Sequence, residues 1–372
     1  MKEDEKIELI PARFVTTPAP AVPKKPRESL LGETLYDGWT VTQQLSKLKE
    51  ATGSHFSCGY IAEKDGKKAF VKAVDFIDAL TDEDPMKQLG ILTAAFNFER
   101  DLCYKCRASG LNKIVHPIAH GGKHLREGDL LSRVEYIIFE RGTGDVRSHL
   151  ASMKSFDNAF AFRSLHNISV GISQLHSVDV AHQDIKPSNV VVFDKSSKLA
   201  DLGRASSRML KSQYDDYQVA GDCTYAPPEL LYNSIDPDWL YRRIGCDVYH
   251  LGSMVTFFFS GTPMTPLLFS LIDAIFHPDV CKESYDALKP ILQNAFGQAI
   301  AKIKSEMELK DKAEVCEIIK ELCNPDPKQR GDSKNIASKQ NPFAMTRYIS
   351  RFNYLASKEE LKLMGKEIAR PI

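Results

Sequence analysis

The chain lacks net charge, because 49 lysines and arginines stand against 49 aspartates and glutamates. That balance removes any whole-chain electrostatic argument for a nucleic-acid or membrane-surface partner, and neither is expected. Long apolar runs are missing as well: the longest, Met254 to Phe259, is far too short to cross a bilayer. The start, Met1 to Lys6, is charged and leads into no apolar segment, so a cytoplasmic protein without a secretory signal is expected. Cysteine is sparse. Only Cys103 and Cys106 form a C-x-x-C, with no second pair or nearby histidine couple, which argues against a zinc or redox site and for reduced thiols. There is no internal repeat. What is present is 372 residues of ordinary globular composition, enough for two core-forming units with a cleft between them.

Residues 1–33 carry Pro11, Pro18, Pro20, Pro23 and Pro26, a spacing that forbids helix and supports no core, so a flexible arm is expected. From about Tyr36 the pattern turns to strands. Phe56 to Glu63 and Lys68 to Phe76 flank Lys64-Asp65-Gly66-Lys67, and an Asp-Gly between apolar runs signals a hairpin. Residues 86–108 place Ile91, Ala94, Ala95, Phe98 and Leu102 near helical spacing, before another strand at Val134 to Phe139. Beyond Gly142 the character changes. Leu165, Ile168, Ile172 and Leu175 make an amphipathic helix, a small hairpin follows around Asp194 to Ser197, and periodic segments past Pro237 are helical. Four segments result: an arm at 1–33, a sheet-rich unit at 34–141, a mainly helical unit at 142–345, and a charged helical extension at 346–372. Docking of that extension on the rest of the chain is expected over a free helix, because isolated helices of this length are marginal.

Between the amphipathic helix and the small hairpin lies Ala181-His182-Gln183-Asp184-Ile185-Lys186-Pro187-Ser188-Asn189, a polar loop that makes no sense in a core. It resembles the catalytic loop of protein kinases, H-R-D-L-x-x-x-N, at His182, Asp184 and Asn189. The resemblance implies a two-lobed α+β fold and transfer of the γ-phosphoryl group of ATP to serine or threonine hydroxyls of a protein substrate. It implies Asp184 as the base for the substrate hydroxyl, Lys186 as a neutraliser of phosphoryl charge, and Asn189 as a magnesium ligand. Twelve positions on, Asp201-Leu202-Gly203 is similar to the D-F-G element, with Asp201 as the second magnesium ligand. Ala69-Phe70-Val71-Lys72 resembles the strand whose lysine holds the phosphates, since a lysine in an apolar strand must find anions. Its expected partner is Glu99, 27 positions later, with Asp101 and Glu83 as competitors and an insertion around residues 81–85.

Further on, Gly221-Asp222-Cys223-Thr224-Tyr225-Ala226-Pro227-Pro228-Glu229 resembles the end of an activation segment, which would put Thr224 near the base. Asp247 resembles the aspartate that braces the catalytic loop, and Arg330 the partner of Glu229. The adenine would lie against Phe139 to Gly142, read by backbone groups of Glu140 and Gly142, with Phe139 closing the pocket behind it. The resemblance runs from about Tyr36 to Phe343.

Two departures matter. Aligning Phe56 with the tip of the phosphate-covering loop puts Thr52, Ser54 and Ser57 where glycines are usual, with Gly53 and Gly59 displaced, so ATP binding is expected to be retained but weakened. Gln183 stands where an arginine normally precedes the base, and a neutral amide cannot make a charge-assisted contact with an activation-segment phosphate. Activity is therefore expected without phosphorylation of that segment, although Ser206, Ser207, Ser212, Tyr214, Tyr217 and Thr224 offer hydroxyls, also for autophosphorylation in trans. Two alternatives stand beside the enzyme reading. A pseudokinase scaffold would account for the poor glycine loop and Gln183, but such proteins typically lose an equivalent of Lys72, Asp184 or Asp201. A small-molecule kinase would share the lobes and metal ligands, but generally lacks the peptide-platform segment seen at Gly221 to Glu229.

Overall fold

An Asp-Gly turn opens the architecture. In the computed structural model, which describes residues 24–45, 57–194 and 196–368 (side chains to 365), Asp65 (φ 49°) and Gly66 (φ 73°) both adopt left-handed backbone. This two-residue turn brings Lys64 opposite Lys67 and matches the natural twist of the strands it joins, β2 (Ser57–Lys64) and β3 (Lys67–Val74). With β1 (Thr40–Gln44), β4 (Pro117–His124) and β5 (Arg133–Glu140) they form an antiparallel sheet in the order β1-β2-β3-β5-β4. The two-residue period decides its faces. Ala69, Val71 and Ala73 enter a small core with Tyr60, Trp39, Tyr136 and Ile138, while Phe70 and Lys72 point the other way.

The helix α1 (Pro85–Ala108) starts where Asp84 accepts the Lys87 N–H and Pro85 occupies the first turn. Its burial begins only at Phe96, where it reaches the sheet. Ile91, expected inside, is exposed, whereas Phe98 and Leu102 are buried as expected.

The second lobe begins with β6 (Gly144–Asp145), α2 (Val146–Ser152) and α3 (Asn158–His176). Leu165, Ile168, Ile172 and Leu175 of α3 are all buried in the main core. Short pairs follow: β7 (Val180–Ala181) with β10 (Ser206–Ser207), and β8 (Val190–Phe193) with β9 (Ser196–Leu199). The helices α4 (Pro228–Leu231), α5 (Gly245–Ser260), α6 (Met264–Phe269), α7 (Tyr285–Glu306), α8 (Lys312–Leu322) and α9 (Ser333–Ala337) complete the lobe. The last helix, α10 (Thr346–Ile368), docks on α3, burying Tyr348, Phe352 and Leu355 and pairing Glu360 with Arg163 at 2.8 Å. Leu361 and Leu363 stay exposed.

The proline-rich arm is packed where it is described. Pro26–Glu28 forms a 3-10 turn, Leu30 is buried, and Arg27 pairs with Asp75 at 2.8 Å and Asp78 at 2.9 Å. Capture of Asp75 by Arg27 coincides with the end of β3 at Val74, two positions short of the expected Phe76. Residues 1–23 lie outside the described part. Among the described residues no helix is long and apolar enough to cross a membrane.

Candidate active site

Lys72 draws three elements together. Its Nζ donates to Glu99 Oε1 at 2.7 Å and Oε2 at 2.9 Å on α1, and to Asp201 Oδ1 at 3.0 Å from the other lobe. The competing carboxylates are elsewhere: Asp101 pairs with Arg100, and Glu83 is exposed. Asp201 takes left-handed backbone (φ 61°, ψ 74°), which aims its carboxylate at the lysine. Lys72 pulls the Asp201 carboxyl down to about 2, against the burial that opposes it. Burial in turn pushes Lys72 down, but Asp201 and Glu99 outweigh it and leave the ammonium held above its ordinary range. Burial raises the Glu99 carboxyl above its ordinary range, with Lys72 opposing part of the rise, so the Lys72–Asp201 pair is the firmly charged part of the cluster.

The loop 181–189 is held by a buried carboxylate. Asp247 on α5 accepts the backbone N–H of His182 and of Gln183, each at 2.8 Å, and His176 Nε2 at 2.9 Å. Gln183 sits at φ 64°, uncommon for a residue with a side chain, and this turn delivers Asp184 into the cleft. The Asp184 N–H donates to His182 Nδ1 at 3.3 Å, so the proton of that ring lies on Nε2, which donates to Ala200 O at 3.0 Å. Asn189 Nδ2 donates to Asp184 O at 2.8 Å and Oδ2 at 2.9 Å. Lys186 Nζ lies 3.2 Å from Asp184 Oδ2. Burial raises the Asp184 carboxyl above the ordinary aspartate range, with Lys186 opposing part of the rise.

Thr224, expected near Asp184, joins it through another residue. Thr224 is exposed, and its N–H caps the Asp222 carboxylate at 2.9 Å. The residue hydrogen-bonded to Asp184 is Asp222, two positions earlier. Its N–H donates to Asp184 Oδ1 at 2.9 Å, and its Oδ2 lies 3.3 Å from Lys186 Nζ. Gly221 makes this approach possible, since a Cβ there would collide with Gln183 O. Burial pushes Asp222 up, but the Thr224 N–H and Lys186 outweigh it and hold the carboxyl below its usual range.

Gln183 is not idle. Its Nε2 donates to Arg243 O at 2.8 Å, and its Oε1 accepts from Arg243 at 3.2 Å. Arg243, 2% exposed, also donates to Asp215 O at 2.5 Å in the segment 201–229. Arg242 donates to the same carbonyl and to Tyr217 O, each at 3.1 Å. The Asp215 carboxylate accepts from Ser206 Oγ at 2.9 Å and from the Ser212 N–H at 2.8 Å. Neither Arg243 nor Asp215 carries a signal in the sequence, because the bonds from Arg243 to Asp215 and Gln183 span 28 and 60 positions. Below them Glu229 and Arg330 form a buried two-pronged pair at 2.6 and 2.8 Å, as expected.

At the junction of the lobes the Glu140 N–H donates to His116 O at 3.1 Å, and its carboxylate is held by Lys198 at 2.7 and 2.8 Å. That leaves the Glu140 carbonyl, not its N–H, to read an adenine edge. Gly142 lies so close to Val191 and Val192 O that no side chain would fit. Phe139 is buried, and Phe70 faces it at 6.4 Å between ring centroids. Gly53 and Phe56, expected over the phosphates, lie outside the described residues. Cys103 and Cys106 are buried free thiols on α1, raised by burial.

The donor set fits a hard cation. With Nδ2 committed to Asp184, Asn189 keeps its Oδ1 as a donor, and the Asp201 side chain is 39% exposed toward the cleft. Among the described residues no group of three or more His, Cys, Asp or Glu side chains converges on a metal position. Two oxygen ligands suit an ion that keeps water and phosphate oxygens for its remaining positions, as magnesium does.

Comparison with known proteins places this geometry. The family model described as Protein kinase domain matches residues 127–341. An Aurora kinase of Debaryomyces hansenii is 28% identical over 130 residues, 34% of this chain and 30% of that protein. The serine/threonine-protein kinase DCLK1 of Rattus norvegicus is 33% identical over 93 residues, 24% of this chain and 21% of that protein. Cyclin-dependent kinase F-3 of Oryza sativa subsp. japonica is 26% identical over 259 residues, 66% of this chain. The chain spans between 21% and 56% of the length of these three relatives.

Proposed function

This chain belongs to the protein kinase family, and we propose that it is an ATP-dependent enzyme that phosphorylates serine and threonine hydroxyls of proteins. The observation that carries the reading is the junction at Lys72, which ties Glu99 and Asp201 together across the cleft that also holds Asp184. Lys72 orients the α- and β-phosphates, and Glu99 keeps it in place. Asp201 and Asn189 would hold magnesium, which when bound supplies charge neutralisation to the phosphates. The acceptor oxygen forms a bond to the γ-phosphorus while the bond from that phosphorus to the bridging oxygen of ADP breaks. The acceptor's proton passes to Asp184, whose raised carboxyl makes it a better base than an ordinary aspartate. Lys186 offsets charge on the group in flight.

The serine/threonine preference is supported by Lys186-Pro187 and by relatives named serine/threonine-protein kinases. Control of the segment 201–229 rests on Arg242, Arg243 and Asp215, so activity does not require a phosphate there. One observation favours the alternative of a nucleotide-binding scaffold without efficient transfer: Lys186 is shared between two carboxylates, Asp184 and Asp222. Phosphoamino-acid analysis separates the two. Labelled serine and threonine from wild type, with none from Asp184→Ala, support the enzyme; equal labelling of neither by both proteins supports the scaffold.

A further inference from the structure

Lys186 is 5% exposed, and its charge is already engaged. Its Nζ donates to Asp222 Oδ2 at 3.3 Å, while Asp184 Oδ2 lies 3.2 Å away as a second ion-pair partner. Both carboxylates are nearly buried, with side chains 9% and 13% exposed for Asp184 and Asp222. One positive charge thus faces two negative ones before any phosphate enters.

Asp222 is fixed from several sides. Its N–H donates to Asp184 Oδ1 at 2.9 Å, its Oδ1 accepts the Thr224 N–H at 2.9 Å, and its carbonyl accepts the N–H groups of Tyr225 at 3.0 Å and Ala226 at 3.1 Å. Gly221 brings the backbone this close, since a Cβ there would collide with Gln183 O and stand 2.8 Å from Asp184 Oδ1. A hydroxyl or an amide would cap the turn as well as a carboxylate, because the cap needs one acceptor oxygen. The second oxygen and the formal charge go beyond that need, and both meet Lys186.

A cation committed to two carboxylates offsets a third anion less well than one committed to the base alone. We infer that Asp222 is a positioning residue that holds Lys186 back from the terminal phosphoryl group of ATP, so that the segment 201–229 sets how much positive charge the cleft offers. The inference rests on the proposed reading of the cleft as a site for ATP and magnesium. Because Asp222 belongs to that segment, a shift of the segment would carry the carboxylate with it and release the lysine to the phosphate.

Equilibrium binding to the full chain tests this with two probes, ADP and the non-transferable β,γ-imido analogue of ATP, each with magnesium. Asp222→Asn keeps the oxygen that accepts the Thr224 N–H and removes the charge. It tightens the ATP analogue roughly tenfold, the scale of one partly screened charge contact, and leaves ADP nearly unchanged. In a Lys186→Met background the same substitution tightens the analogue far less, because no cation remains to be released. A full gain in both backgrounds would be plain relief of repulsion, and equal shifts of both nucleotides would mark a turn cap only. Either result overturns the restraint, as does an unchanged affinity for the analogue. Asp222→Thr, which also keeps an acceptor oxygen without charge, decides the matter where the asparagine variant fails to fold. A wild type that binds neither nucleotide defeats the reading of the cleft itself, and the restraint with it.

Discussion

The nucleotide side of the cleft and the segment 201–229 hold their charges in opposite ways. Around Lys72 every contact is an ion pair, and the lysine is shared by two carboxylates from different lobes. Around Arg243 the cation meets neutral acceptors, the Gln183 amide and the Asp215 carbonyl. On the proposed function the difference follows from what each region would do. Phosphoryl transfer needs formal charges at fixed points, which few side chains supply. Holding a segment in place needs only hydrogen bonds of good geometry, which amides and carbonyls supply as well. Chemistry is thus tied to residue type, and control is tied to shape.

The largest break in this comparison comes from the base. Asp184→Ala should lower the transfer rate about 10³-fold or more, with ATP binding retained, read by steady-state rates and nucleotide titration. Arg330→Ala should cost about 3–5 kcal/mol of stability in chemical denaturation, because it strands the buried Glu229 carboxylate. Arg243→Ala should cost less, about 1–3 kcal/mol, the scale of buried hydrogen bonds left unmade. Its signature should be local: faster amide exchange between residues 205 and 219, with the Lys72 cluster unchanged. Equal loss of protection across both regions would erase the distinction.

A pH profile sharpens the comparison with a smaller effect. Asp184 acts ionised, so the rate rises with pH through its pKa, which burial raises and Lys186 lowers. Lys186→Met removes the lowering influence, and the acidic limb of the rate profile should move to higher pH along with a reduced plateau. A limb that stays in place would mean that Lys186 does not interact with the base.

Legibility in the sequence follows the same division. Lys72, Glu99, Asp184, Asn189 and Asp201 are legible because each stands in or near a short recognisable string, and the structure joins Lys72 to Glu99 and Asp201, and Asn189 to Asp184. Glu229 with Arg330 and Asp247 under the catalytic loop were legible for the same reason. The resemblance points to Thr224, while the hydrogen bond to Asp184 comes from Asp222, which follows directly on Gly221, the residue with no Cβ to keep the backbone away from Asp184. The arm was read from its prolines alone, and nothing local shows that Arg27 closes on Asp75, 48 positions away. Arg243 and Asp215 were hidden because their partners are carbonyls and amides, which every residue or many residues carry.

As proposed, this chain carries complete transfer chemistry under control that needs no phosphate. This is tested most directly by treating the full chain with phosphatase, verifying by mass spectrometry that residues 201–229 carry no phosphate, and measuring initial transfer of labelled γ-phosphate from ATP to protein serine and threonine. The account predicts the same rate before and after treatment. A rate abolished by treatment and restored by rephosphorylation would contradict the control, and no transfer from either preparation, with ATP bound, would contradict the chemistry.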